Sequence, residues 1–276
     1  MSAAANLVLV GHGRMAAAFE RAFHRENLPF RAITARASQW RVPHANTPRT
    51  VILAVSDRYI ASTCERLVDA RVLAKRDVVL HCAGMLDTRP LASASLAGAF
   101  AGALHPLVAV ASPGDPPPLR GLAATVQGHP RACSAARRLG KLLGLDVIRV
   151  PAMDRARYHA AAALCATGGV ALAQAAQSLL EQTIPSLSPR EAAQMTASLL
   201  ASVAHNVRAV GTHNALASPL MRGDIPAVAA HLQAMQVHPP AAALYRAALA
   251  QVLSVLACDD NFTEAARAQA VLLLST

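Results

Sequence analysis

Residues 6–19 read Asn-Leu-Val-Leu-Val-Gly-His-Gly-Arg-Met-Ala-Ala-Ala-Phe, and no other stretch constrains the fold as much. Residues 7–10 form a short apolar run rich in β-branched side chains, as a buried parallel strand requires. Gly11, Gly13 and Ala16 follow on the Gly-x-Gly-x-x-Gly/Ala spacing. Gly11 allows the tight turn out of the strand, Gly13 lets a pyrophosphate approach the backbone, and Ala16 lets the next helix pack on the sheet. The free N–H groups at that helix's start favour an anion. A glycine turn with no ligand is the alternative. The strand-before, helix-after context favours a dinucleotide cradle formed by Gly11, His12, Gly13, Arg14 and Met15.

The first half continues in the same style. Strand-like runs at 7–10, 30–34, 51–55, 78–81, 101–104, 123–126 and 147–150 alternate with helical runs at 15–24, 60–70 and 131–143. Such alternation predicts crossover connections and a mainly parallel sheet. After Pro151 strand signals stop, and Ala/Leu-rich helical segments occupy about 154–183, 188–215, 225–236, 239–257 and 261–274. Ser188-Pro189-Arg190-Glu191 has the form of a helix N-cap with proline in the first turn. Asp224 can cap the helix that follows it, and Asn261 or Thr263 the last one. The expectation is an α/β fold: a Rossmann-type domain at residues 1–150, then an all-helical domain at residues 151–276.

The end of the second strand selects the cofactor. An acid there binds the 2′-hydroxyl of NAD, and an arginine accepts the 2′-phosphate of NADP. Residues 30–38 contain no acid, whereas Thr34, Arg36 and Ser38 are phosphate-compatible. NADP is therefore expected rather than NAD, with an arginine merely facing solvent as the alternative.

Charge agrees with an anionic small ligand. The net charge is +10, and residues 1–150 hold 19 Lys and Arg against 9 Asp and Glu, while residues 151–276 hold 7 and 7. Aromatic residues make up only 3% of the chain, so there is little to stack nucleic-acid bases and no basic stripe. Cysteines 64, 82, 133, 165 and 258 are odd in number and form no Cys-x-x-Cys pair. Reduced thiols in a cytoplasm fit that pattern. Cys82 and Cys165 lie in apolar runs and are expected to be buried. Met1 to Ala5 lacks the basic start of a signal peptide. Residues 91–112 lack charge but contain His105-Pro106 among small residues, so a buried soluble segment is expected there rather than a membrane span.

Strand ends in an open parallel sheet line the ligand crevice. Val55, Ser56 and Asp57 end the third strand beside the expected pyrophosphate. His81 and His105 stand at adjacent strand ends, where either can touch substrate or simply pack. Tyr158 and His159 lead into a charge-free helix, facing an expected interdomain cleft. Histidine can give a proton to a carbonyl or imine as hydride arrives. The two lysines, Lys75 and Lys141, are both in the first half, which excludes a lysine acid/base from the helical half. No hydrolase elbow and no close metal-ligand spacing occurs, and His205, His213 and His231 are expected on helix surfaces or ends. Arg222 can anchor a substrate carboxylate or lie in a surface turn.

In combination, Gly11-x-Gly13-Arg14, Val55-Ser56-Asp57, His81-x-x-Gly84, His105-Pro106-Leu107, Tyr158-His159-Ala160 and Arg222-Gly223-Asp224 resemble a known family. It is that of the Rossmann-like oxidoreductases whose C-terminal half is domain of unknown function 2520. They are similar in plan to pyrroline-5-carboxylate reductase and ketopantoate reductase. The resemblance implies NADP binding, a helical domain of the 6-phosphogluconate dehydrogenase C-terminal type, and a homodimer formed through the helices. It adds weight to His81, His105, Tyr158, His159, Arg222 and Asp224. The chain departs from the pattern at Ala83, often Ser, and at Thr167, often Asn, the latter a candidate substrate contact. Two functions fit. One is NADP-dependent reduction of a C=O or C=N bond in a small, acidic metabolite, with His159 as preferred proton donor. The other is a non-catalytic NADP(H) sensor. Neither nucleic acid nor membrane is an expected partner.

Overall fold

The computed structural model describes residues 6–36, 40, 47–256 and 263–275. Ser38, Cys258 and Asn261 lie outside them. The first half runs β1 (Leu7–Val10), α1 (Arg14–Arg25), β2 (Arg31–Ile33), β3 (Thr50–Leu53), α2 (Ile60–Asp69), β4 (Val78–His81), α3 (Ala92–Leu96), β5 (Phe100–Pro106), β6 (Ala123–Gly128), α4 (Pro130–Leu143) and β7 (Asp146–Arg149). The second half is α5 (Arg155–Thr183), α6 (Pro189–Asn214), α7 (Ile225–Ala234), α8 (Pro239–Leu256) and α9 (Glu264–Ser275). The architecture is the expected one: a Rossmann-type sheet followed by helices.

The sheet order is β2-β1-β3-β4-β5-β6-β7. All neighbours are parallel except β5 and β6. The connection between those two strands carries no helix, and a parallel crossover needs one, so β6 returns antiparallel. The carboxyl ends of β1 to β5 therefore share one edge. Side chains alternate across the strands: Leu9, Ile52 and Leu80 meet α1 and α4, while Val8, Val10, Val51 and Val79 meet α2. Both faces are covered, which explains the unbroken apolar strands. The residue run 91–112 becomes a short turn, α3 and β5, so it is not a single helix.

Below the opposite edge, one ion pair ties β3 to β4. Arg49 Nη2 lies 3.0 Å from Asp77 Oδ2, and both side chains are buried, at 4% and 2% exposure. Asp77 also accepts from the backbone N–H groups of Arg49 (2.8 Å) and Ala74 (2.9 Å). Arg49 donates to the Val72 carbonyl as well. Every charge in the cluster is thus met by a hydrogen-bonding partner, which is what makes a buried pair tolerable.

The chain divides into two compact units, Met1–Ala162 and Ala163–Thr276. The division falls inside α5, so the first turns of that helix, with Tyr158 and His159, belong to the sheet-bearing unit. In the second unit Leu220, Val228, Leu232, Leu249 and Leu256 form a core. Ser188 caps α6 in a capping box with Glu191, Asp224 Oδ1 accepts from Ala227 N–H (3.2 Å), and Thr263 Oγ1 accepts from Ala266 N–H (3.2 Å). One expectation fails: Cys165 is exposed, because none of the α5 residues is buried. By length and composition alone α5 could cross a membrane.

Removing one partner of the buried pair strands the other. Asp77→Ala is expected to lower unfolding free energy by about 3–5 kcal/mol, read by urea denaturation. A loss under 1 kcal/mol would show that the pair is not holding β3 to β4.

Candidate functional site

Gly11 leaves β1 with φ +128°, and a Cβ on it would stand 2.4 Å from the Ala54 carbonyl oxygen at the end of β3. Glycine is required there both by conformation and by space. A Cβ on Gly13 would meet nothing within 4 Å. Its openness is not a packing requirement of the chain itself; it leaves backbone free to be approached. Gly13 is the N-cap of α1, with no side-chain cap and no acid in the first turn. The helix therefore presents its leading N–H groups unneutralised.

A cleft of about 620 Å³ lies over this loop, lined by Gly11, His12, Gly13, Thr34, Arg36 and Val55 among others. Ser56 lines it too, and a second cavity of about 510 Å³ shares Gly13, Val55 and Ser56 and adds Arg14, Met15 and the 108–111 segment. The expected cofactor residues are thus brought together, except Asp57. That residue sits exposed in the turn after β3 and lines neither cavity.

Sequence reasoning missed Tyr59, Ser62, Thr63 and Arg66, which α2 and the turn before it bring to the cleft. Arg66 Nη1 donates to the Ala35 carbonyl (2.8 Å), and its guanidinium stacks 4.6 Å from the Trp40 ring. Trp40 Nε1 in turn donates to the Thr34 carbonyl (2.8 Å). Two arginines, Arg36 and Arg66, therefore flank the end of β2, and among the described residues no acid lines the cleft. The 3.6-residue period of α2, which puts 59, 62, 63 and 66 on one face, was the available signal.

At the same sheet edge a polar cluster crosses β5 and β6. Their register pairs His105 with Thr125 and Ala103 with Gln127. Thr125 and Gln127 share a face of β6, two residues apart. Arg155 and Tyr158 share a face of α5, three residues apart, and match them. The Tyr158 hydroxyl lies 2.8 Å from Thr125 Oγ1 and 2.8 Å from His105 Nδ1, and Arg155 Nη2 donates to Gln127 Oε1. His159, the next residue along α5, has its ring centre 5.8 Å from that of His105. Gly84 makes this possible. A Cβ there would stand 2.6 Å from His159 Nδ1 and 2.8 Å from His105 Nε2.

The histidines differ. Buried His81 accepts from Ala83 N–H at Nδ1 (3.2 Å), so its Nε2–H donates to the Asp87 carbonyl (2.6 Å). Burial lowers its pKa. With both ring nitrogens engaged, His81 shapes the 81–87 turn that carries Gly84, rather than offering a free nitrogen. His105 has its pKa pushed down to about 4, chiefly by burial and then by the fields of His159, Arg155 and His81. It is neutral near pH 7, suited to hydrogen bonding rather than to carrying charge. His159 Nδ1 is buried without a hydrogen-bond partner.

In the second unit, Arg222 is exposed at the end of a short turn, Asp224 is engaged as the α7 cap, and Thr167 is exposed on α5. His205 and His213 are exposed on α6, and His231 Nδ1 meets the Tyr245 hydroxyl at 3.0 Å. Among the described residues no group of three or more His, Cys, Asp or Glu could hold a metal ion.

The fold is that of Rossmann-type structures solved before. Residues 122–252 match the family described as Domain of unknown function (DUF2520). The chain is similar in structure to protein TM1727 from Thermotoga maritima, with 19% identity, 90% of this chain and 97% of that one covered, and a TM-score of 0.63. It is similar to a pyrroline-5-carboxylate reductase from Coxiella burnetii, with 17% identity, coverage of 91% and 98%, and a TM-score of 0.57. A reductive aminase from Aspergillus terreus in complex with NADPH and ethyl levulinate aligns with 14% identity, coverage of 96% and 98%, and a TM-score of 0.54. No curated protein matches the sequence.

The lowered pKa of His105 has a signed consequence. An unfolded histidine takes up its proton near pH 6.5, whereas the folded one does so near 4. The unfolded state therefore binds more protons in that window, and stability falls as pH drops through it. His105→Gln is expected to flatten the loss of urea stability between pH 6.5 and 4.5. An unchanged slope would mean that His105 does not titrate as its burial dictates.

Proposed function

We propose that the protein is an NADP-dependent oxidoreductase that reduces a C=O or C=N bond of a small, acidic metabolite. The observation that carries this reading is one sheet edge bearing both features: an open glycine loop under a cleft with Arg36, and the Thr125–Tyr158–His105 chain beside His159. The reductive aminase bound to NADPH and the pyrroline-5-carboxylate reductase support it through their shared fold.

The residues fit the cofactor. Gly11, His12, Gly13, Arg14 and Met15 would hold the pyrophosphate, with Val55 and Ser56 alongside. Arg36, with Thr34 and Arg66 near it, would receive the 2′-phosphate. The bound nicotinamide supplies a hydride. This chain supplies the proton, and His159 is the preferred donor. Tyr158 and His105 hold a hydrogen-bonded proton path next to it, and His81 fixes the turn behind.

The same reading makes the protein a cytoplasmic homodimer. Supporting it are the free thiols Cys64, Cys82, Cys133 and Cys165, and the apolar side chains left bare on α5 and α6. Leu164 is 76% exposed and Leu199 68%. Apolar patches of this kind are sites of association. Leu164→Glu with Leu199→Glu is expected to halve the mass measured by light scattering. A wild-type monomer at micromolar concentration would overturn the dimer.

NADPH oxidation in the presence of keto acids, ketones and cyclic imines tests the activity. Turnover of one of them is expected, falling at least about tenfold in His159→Ala. Arg36→Ala is expected to erase a preference for NADP over NAD. NADPH binding with no turnover of any compound would favour a sensor, and equal affinity of the wild type for NAD would refute the cofactor choice.

A further inference from the structure

Arg155 is a half-buried cation whose inner nitrogens have too few partners. Its Nη2 donates to Gln127 Oε1, but Nε and Nη1 are buried without any hydrogen-bond partner. Those two atoms carry three N–H groups. Its guanidinium lies 5.8 Å from the Tyr158 ring centre. The carboxylate acting on it is Asp87, and Asp87 is already taken: Arg89 Nε donates to both its oxygens, at 3.0 and 2.8 Å, and Arg89 N–H to one of them at 2.9 Å. Burial disfavours the charged form of Arg155, yet a guanidinium does not give up its proton in a protein. Unmet N–H groups buried on a charged side chain are unfavourable, and an anionic ligand is one way to satisfy them.

We infer that Arg155 is the binding site for the substrate's carboxylate, in the first unit and beside the Tyr158–His105 pair. The geometry says why a carboxylate suits. It brings one negative charge and several acceptor lone pairs to a guanidinium with three N–H groups to satisfy. The guanidinium and the Tyr158 hydroxyl come from adjacent turns of α5, fixed on β6 by Gln127 and Thr125. A carboxylate held by the first stands next to the hydrogen-bonded chain that begins at the second. The class is a small oxo or imino acid whose reacting carbon is close to its carboxyl carbon. Nothing in the sequence pattern singled out Arg155, because its unmet N–H groups appear only once α5 is docked on β6.

The substrate class rests on the reductase reading above, but the anion site does not. The first measurement is therefore independent of turnover: thermal unfolding of the full chain with malonate, sulfate or chloride at constant ionic strength. Malonate is expected to raise the melting temperature of the wild type, sulfate and chloride much less, and none of them to act on Arg155→Met. Without anion, Arg155→Met is expected to be at least as stable as the wild type, since an unpaired charge is gone; a structural strut to Gln127 would instead leave it less stable. Equal shifts with malonate and sulfate, or an undiminished malonate shift in Arg155→Met, would overturn the assignment. The second measurement uses turnover: Arg155→Met is expected to raise KM for an oxo or imino acid at least about tenfold and to raise KM for a neutral ketone far less. Failure of the wild type to bind NADPH sinks the reductase reading alone, and the absence of a malonate shift in the wild type sinks the anion site alone.

Discussion

The carbonyl oxygen of Ala54 stands where a side chain on residue 11 would have to go. That single approach, β3 against the turn out of β1, sets the rest. It lets Gly11 donate its N–H to the Ile33 carbonyl of β2 at 3.0 Å, so three strands converge on one turn. It directs α1 so that its uncapped start faces the cleft. A substituent at Gly11 would push β1 from β3 and close the space in which Gly13 is left open. The loop is first a packing solution between strands.

The second cluster depends on a different constraint, the reversal of β6. Antiparallel pairing puts Thr125 directly opposite His105, and the first turns of α5 are matched to that face. Tyr158 bridges the two strands, and Arg155 reaches Gln127. Gly84 then decides how near the two histidine rings can come. The cluster is tight and partly dry, which keeps His105 neutral and leaves Arg155 undercompensated. These are costs to folding, and perturbed titratable groups of this kind concentrate at functional sites.

Much of the fold was legible in the chain. β1 and β4 fall where the apolar runs put them, and the helices of the second half begin and end near their caps and prolines. Local signals suffice there, since period, capping and turn residues act within a few positions. The strand–turn–helix of the glycine loop was legible for the same reason. His81 was not: its strand-end position suggested a group facing substrate, but the turn back to Asp87 occupies both its nitrogens. Arg66 and Trp40 come to the cleft through packing between distant segments. Cys165 was misread because apolarity along a helix does not say whether another element covers it.

The sequence by itself determined the strand–turn–helix at residues 7–25, the alternation that makes a parallel sheet, and the arginine without an acid at the end of β2. These follow from local sterics and from the periodicity of burial. Only the tertiary structure decided that β6 runs backwards, that Tyr158 and His159 belong with the sheet, and that two nitrogens of Arg155 are buried short of partners. Each of those depends on which surfaces meet, and the free energy of burying a charge or a ring is set by neighbours far away along the chain.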